Sequence, residues 1–203
     1  MERSWTAPFR IRMATEADAP ELLAIYEPFV AGTTVSFETE SPGLAVFTRR
    51  MGDVMVRYPY LICDDARAAI LGYAYAHAFK ERAAYRWSAE LSVYTRPECA
   101  GRRVGRTLYR VLMELLERQN FHTVYGVVTD PNPASQRMHE DLGFTRAGLM
   151  RKTGYKLGQW LDVSLYEKRI RKPESEPADP IPITELPTGV VDAVLRESAA
   201  LLR

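Results

Sequence analysis

The sequence predicts an α/β domain, and three observations carry that expectation. It opens strand then helix, a strand–loop–helix unit with a basic, glycine-containing loop sits at its middle, and strand-like and helix-like stretches alternate beyond it. Residues 9–13 alternate apolar and charged, as a half-buried strand does. Thr15 and Asp18 then read as a capping box, and Leu22, Leu23, Ile25, Tyr26 and Phe29 recur at helical spacing behind it. A Thr- and Ser-containing connector, 33–40, leads to a second helix marked by Leu44, Phe47 and Met51, with Pro42 near its first turn. Residues 58–63 and 69–79 read as two strands joined by a turn at 64–67. Another strand, 89–95, precedes the basic loop 96–105. Val104, Leu108, Val111, Leu112, Leu115 and Leu116 mark a long amphipathic helix, with Glu114 and Arg118 paired on its face. A strand at 123–128 follows, then a helix capped by Asn132, carrying Pro133 in its first turn and stopped by Gly143. The last strand expected is 161–166. Five prolines between 173 and 187 rule out a regular element there and indicate an extended linker. The stripe Val191, Val194, Leu195 and Leu202 predicts a short terminal helix, unable to stand alone, which docks on its own domain or on a partner.

A chain of 203 residues with 46% hydrophobic and 26% charged residues fits one domain with an appendage. The expected division is a domain over 1–171 and a linker with short helix over 172–203. The formal net charge of +1 argues against a dedicated nucleic-acid or anionic-membrane binder. Cys63 and Cys99 lack metal-ligand spacing and cannot form a disulfide framework, so no metal and a reducing compartment are expected. The segment from Met1 to Trp5 has no apolar core of a signal peptide, and the apolar run 68–79 is too short to span a membrane. The expectation is a cytoplasmic protein with no membrane partner.

The loop after the 89–95 strand is a candidate phosphate cradle. A helix N-terminus presents unpaired N–H groups and a positive dipole end, Gly101 and Gly105 let backbone approach a ligand, and Arg102, Arg103 and Arg106 add charge. The same pattern also describes a surface turn whose arginines are merely solvated.

Three further strings narrow the choice. Ala83-Ala84-Tyr85-Arg86-Trp87-Ser88-Ala89-Glu90 leads into Ser92-Val93-Tyr94, Gly105-Arg106-Thr107-Leu108-Tyr109 opens the long helix, and Arg137-Met138-His139-Glu140 lies on the next one. With Ile11 to Asp18 at the start and Gly158 to Val163 near the end, the chain resembles the GNAT N-acetyltransferase superfamily and, within it, the phosphinothricin acetyltransferase family. The resemblance runs from about Phe9 to Ile170. It implies a mixed central sheet flanked by helices, with the strands 89–95 and 123–128 splayed to admit acetyl-CoA as co-substrate. It also implies that Val93, Tyr94 and Thr95 pair with the pantetheine amides, that Gly101, Arg102, Arg103, Val104, Gly105 and Arg106 surround the pyrophosphate, and that Asn132 is a further coenzyme contact. One departure stands out: by its flanks, Arg103 falls where the superfamily loop carries its first glycine, and only Gly105 is kept.

The reaction implied is acetyl transfer to the amino group of a small amino-acid-like substrate of phosphinothricin, methionine sulfone or methionine sulfoximine type, by a homodimer. Transfer needs a deprotonated amine and a proton for the departing thiolate. Glu90, on the strand beside the thioester, can take the ammonium proton; as a bare residue it also reads as a structural ion pair. His139 stands where many superfamily members carry the tyrosine that protonates the thiolate, and its imidazole can serve as acid or base. Lys80, Arg82, Tyr85 and Trp87 suit an acceptor pocket, or an ordinary solvated turn. The alternatives are an acetyltransferase for another small amine or a protein N-terminus, and a non-catalytic acyl-CoA-binding module, against which the presence of both Glu90 and His139 argues.

Overall fold

The computed structural model describes residues 9–198. The Met1–Trp5 segment and the Leu202 end of the terminal helix stripe lie outside the described residues. Seven strands are present among those described: β1 (Arg10–Met13), β2 (Tyr60–Asp64), β3 (Ile70–Ala78), β4 (Ser88–Thr95), β5 (Thr123–Asp130), β6 (Thr145–Lys156) and β7 (Gln159–Arg169). The helices are α1 (Ala19–Gly32), α2 (Leu44–Met55), α3 (Val104–Arg118), α4 (Pro133–Asp141) and α5 (Thr188–Ser198). The strands form one mixed sheet in the order β1-β2-β3-β4-β5-β7-β6. Every neighbouring pair is antiparallel except β4 and β5, which run parallel.

Alternation of side chains along the strands divides the core into two layers. On one face Leu22, Tyr26, Phe47 and Met51 of α1 and α2 cover Tyr60, Ile62 and Tyr73. On the other, Leu108, Leu112, Leu115 and Leu116 of α3 cover Leu61, Ala74, Ala76 and Leu91. The helical spacing of those leucines is what gives α3 one apolar side.

Two features depart from expectation, and one open alternative is decided. Strand β6 has no counterpart in the sequence reading, because Thr145–Lys156 is an edge strand, almost wholly exposed and interrupted by two register shifts against β7. With no buried face, it leaves no alternation to read. The terminal helix docks on its own domain: Ile183, Leu186 and Val194 are buried in the α3-side core. The proline-rich segment is extended and held from the sides, except that Ile183–Glu185 forms one 3-10 turn after Pro182, a short regular element where none was expected. Gln119 donates its Nε2 to the carbonyls of Arg57 (2.9 Å) and Ile181 (2.8 Å), and the Ile183 amide donates to Arg57 O at 3.0 Å.

The start of the chain is tied down by charge. Arg12 reaches Asp18 at 2.7 Å and Asp64 at 2.9 Å, and Arg10 meets Asp64 at 3.0 Å. The Arg12 guanidinium, helped by donation from Thr15, holds the Asp18 carboxyl down at about 2. A carboxylate depressed in this way stabilises the fold above its ordinary titration range and loses that contribution as pH falls from about 4 towards 2. Asp18→Asn is expected to lower the unfolding free energy by about 2 kcal/mol near neutral pH, with the difference shrinking across that acid window. Urea unfolding at several pH values checks it.

Candidate active site

The parallel ladder between β4 and β5 is short. It pairs Ser88 with Thr123, Ala89 with Val124 and Glu90 with Tyr125, and then the strands part. Both continue, β4 to Thr95 and β5 to Asp130, each held only by its outer neighbour. The Arg96 amide donates to Leu71 O at 2.9 Å, so even-numbered residues of β4 turn their peptide groups towards β3. The peptide groups of Leu91, Val93 and Thr95 therefore face the gap. Of the expected edge, Val93 and Thr95 thus turn their peptide groups to the gap, whereas the peptide of Tyr94 pairs with Tyr73 and its ring, which also borders the gap, packs edge-on against Tyr26 at 4.8 Å.

The gap is lined by Leu91, Val93, Tyr109, Val128, Asn132 and His139, with Val35 at its rim. Tyr109 is fully buried and donates its hydroxyl to Leu91 O at 3.0 Å, satisfying a carbonyl that lost its strand partner. The 33–40 connector closes the rim: Thr129 donates to Thr34 O at 2.6 Å, and Lys156 Nζ donates to Ser36 O at 2.7 Å. Tyr109 entered the sequence reading only within the string that opens α3, with no role of its own, and Thr129 did not enter it, since each occupies an ordinary core-spaced position.

At the open end of the gap, α3 begins directly after Arg103, which takes a left-handed conformation at φ 62° and offers no side-chain cap. The first-turn N–H groups of α3 are thus available to an anion. Gly101, Arg102 and Arg103 are exposed around this turn, Val104 is buried beneath it, and Gly105 sits over Val93 and Thr95. Arg103, Arg106, Thr107 and Arg110 border a cavity of about 200 Å³ there. Arg106 is committed elsewhere, with its guanidinium 3.0 Å from Asp141 at the end of α4. Asn132 accepts from the Ser135 amide through Oδ1, leaving Nδ2 as its donor. Uncapped amides and unpaired strand edge together fit a pyrophosphate–pantetheine ligand. The largest groove, between α3 and β7 (Arg110, Glu117, Lys168, Arg171), is not at the gap and is a charged, solvated surface.

Glu90 is the last residue of β4 paired with β5 and projects to the α1–α2 face, beside His77 of β3, its register partner. Its carboxylate lies 3.7 Å from His77 Nε2. Burial pushes the Glu90 carboxyl up, opposed by the charge of His77.

His139 lies on the other face of the sheet, packed over Gly126 and enclosed by Tyr109, Phe144 and Tyr166 at 5.1–5.4 Å between ring centroids. A glycine inside an apolar strand signals such a close approach, and Gly126 was the sequence sign of this contact. Nδ1 lies 2.8 Å from Ser135 O; a carbonyl only accepts, so Nδ1 carries the proton. Nε2 is then a buried lone pair without a protein partner. Burial drives the imidazole pKa down, against the Ser135 carbonyl. In this tautomer His139 accepts a hydrogen bond from Nε2's side and does not donate one. The fold thus puts Glu90 and His139 on opposite faces, at successive registers of the fork.

Of the acceptor-side residues, Lys80 and Tyr85 come together. Lys80 Nζ stands 5.4 Å from the Phe79 ring and 5.8 Å from Tyr85, and Phe79 stacks at 3.8 Å on Tyr125, the register partner of Glu90. Arg82 is exposed at the head of the turn before Tyr85. Trp87 does not join them, because its indole N–H donates to Ala178 O at 2.8 Å and fastens the proline-rich tail. Among the described residues no group of three or more His, Cys, Asp or Glu is placed to hold a metal ion, and no helix is long and apolar enough to cross a membrane.

A profile of the acetyltransferase (GNAT) domain matches residues 11–165. The chain is 34% identical over 180 residues to phosphinothricin N-acetyltransferase of Streptomyces viridochromogenes, covering 88% of this chain and 97% of that one. It is 33% identical over 169 residues to the L-methionine sulfoximine/L-methionine sulfone acetyltransferase of Pseudomonas aeruginosa, covering 82% and 98%. The crystal structure of a GNAT superfamily phosphinothricin acetyltransferase from Sinorhizobium meliloti in complex with acetyl-CoA superposes with a TM-score of 0.79 at 32% identity, over 84% of this chain and 96% of that one.

A Cβ at residue 126 would collide with the His139 ring. Gly126→Ala is expected to displace His139, cost about 1–3 kcal/mol of stability and weaken acetyl-CoA binding. Thermal unfolding with and without acetyl-CoA measures both effects.

Proposed function

The chain belongs to the GNAT acetyltransferase family and is an acetyl-CoA-dependent N-acetyltransferase; we propose that its acceptor is the amino group of phosphinothricin, methionine sulfone or methionine sulfoximine, or an amino acid of that type. The observation that carries the proposal is a carboxylate, Glu90, at the point where β4 and β5 part. The names of the relatives support the acceptor class.

In this reading acetyl-CoA supplies a thioester as acyl donor, and the chain's residues do the rest. The first-turn amides of α3 and the Arg103 side chain hold the pyrophosphate, Asn132 Nδ2 and the peptide groups of Val93 and Thr95 hold the pantetheine, and the acetyl end reaches the fork. The acceptor approaches from the α1–α2 face, where Lys80 offers charge to its acidic group and Tyr85 lines its path. Arg82 stands further out on the same side. Glu90 receives the ammonium proton, freeing the nitrogen lone pair. Desolvation suits it for that work, because a raised carboxyl is a stronger base than an exposed one. His139, neutral and with a bare Nε2, walls the opposite face as an acceptor.

The protein acts in the cytoplasm as a homodimer in this proposal. Buried free thiols at Cys63 and Cys99 support a reducing compartment. Support for the dimer comes from Leu149, Met150, Tyr155, Leu157 and Trp160, large apolar side chains that one chain leaves exposed along β6, β7 and their turn. Light scattering at micromolar concentration should give twice the chain mass; a monomer would overturn the dimer.

Glu90→Gln should lower turnover by about 10²–10⁴ while leaving acetyl-CoA affinity intact. The loss should shrink at high pH, where the amine arrives deprotonated. Since burial raises the Glu90 carboxyl, wild-type kcat/KM should fall on the acid side at a pH above the ordinary carboxylate range. His139→Phe should cost less turnover than Glu90→Gln. Thiol release across a panel of amino acids measures all of these, and near-normal turnover of Glu90→Gln at neutral pH would make the carboxylate structural. Arg103→Ala should weaken acetyl-CoA by about 1–3 kcal/mol; unchanged affinity by calorimetry would mean a merely solvated side chain.

A further inference from the structure

We propose that His77 is a positioning residue for the transfer, holding the Glu90 carboxylate in place and taking over its proton for release to solvent. The inference rests on the reading of Glu90 as the base.

The two side chains meet because β3 and β4 pair His77 with Glu90 directly, on the face from which the acceptor comes. Among the described residues His77 is the one basic group within 4 Å of the Glu90 carboxylate, at 3.7 Å from Nε2 to Oε1. The ring is oriented from its other side. Nδ1 lies 3.1 Å from Ala78 O, and since that carbonyl accepts, Nδ1 carries a proton and Nε2 is the atom presented to Glu90. A bare Nε2 lone pair facing an ionised carboxylate is repulsive, so the stable arrangement keeps one proton between them, on either Nε2 or Oε1. The pair is therefore a proton store with two sites. When the acceptor ammonium gives its proton to the ionised Glu90, the nitrogen keeps its electron pair, the proton already on Nε2 leaves to water, and the new proton moves from Oε1 to Nε2, which restores the starting state. His77 is the better exposed of the two, with 35% of its side chain accessible against 23% for Glu90, so the route runs outward.

Other titratable groups do not compete for this proton. Tyr75 on β3, Tyr125 on β5 and Tyr109 on α3 surround Glu90, and burial raises all three phenols, keeping them neutral. Glu38 of the connector also acts on Tyr75, but its carboxylate is tied to Arg50 of α2 at 2.6 Å.

Carbon-detected NMR of carboxyl-labelled glutamate follows Glu90 without any need for turnover. Assignment comes from the signal lost in Glu90→Gln. Removing the imidazolium in His77→Ala, or replacing it by a neutral amide in His77→Gln, should move the Glu90 midpoint up by about one pH unit, the effect of a unit charge at this separation in a solvated setting. The acid limb of kcat/KM should move up with it, giving about tenfold lower kcat/KM below the limb and near wild-type values well above it. A Glu90 midpoint unmoved in both variants overturns the pairing, whatever the activity. If the midpoint moves and the kinetic limb does not, the pairing is real but Glu90 is not the base, and the role for His77 falls with that reading. A movement of both supports the proposal.

Discussion

The parallel pairing of β4 and β5 ends after Glu90–Tyr125, and the chain must then satisfy peptide groups that a continued ladder would have paired. A buried carbonyl without a partner costs about 1–3 kcal/mol, so the parting persists only where something replaces the missing strand. Tyr109 does so for Leu91, from the middle of α3. His139 fills the space over Gly126, and the 33–40 connector is fastened across the rim through Thr129 and Lys156. The peptide groups of Val93 and Thr95 keep no strand partner on that side, and in the proposed function they are the groups that meet the pantetheine arm.

The same parting decides the electrostatics. Glu90 sits at the last pair, too deep for free hydration and too near the surface to be fully neutralised, so its carboxyl is raised without being silenced. One residue further along β5, the side-chain direction has reversed, and His139 lies across the sheet in an aromatic enclosure that keeps it neutral. The two titratable groups are thus given different environments by strand alternation at Glu90 and by α4, which lays His139 over the bare Gly126 on the other face.

Much of the architecture was legible in the chain, where one face of an element is buried and its period shows. The leucines of α3, the alternation in β1 and the Asn132–Pro133 cap each announced an element that the structure contains. Strand β6 was illegible because both its faces are exposed and its register shifts twice. Glu90 and His139 could be singled out as chemistry-bearing residues, since a carboxylate in an apolar strand is costly without a use and the flanking strings resemble a known family. The contact of Trp87 was illegible for a physical reason: its indole finds a carbonyl 91 residues away in the tail.

The sequence by itself determined the family, the alternating strands and helices, and the chemical types available near the fork, because those depend on local period and on ordered strings of side chains. Tertiary structure alone decided which atoms meet. It turned the peptides of Leu91, Val93 and Thr95 to the gap and that of Tyr94 away, tied Arg106 to Asp141, protonated His139 on Nδ1 through Ser135, and set His77 beside Glu90. Those outcomes depend on strand register and on contacts between residues far apart in the chain. A shift of one residue in register would reverse every one of the strand-borne choices.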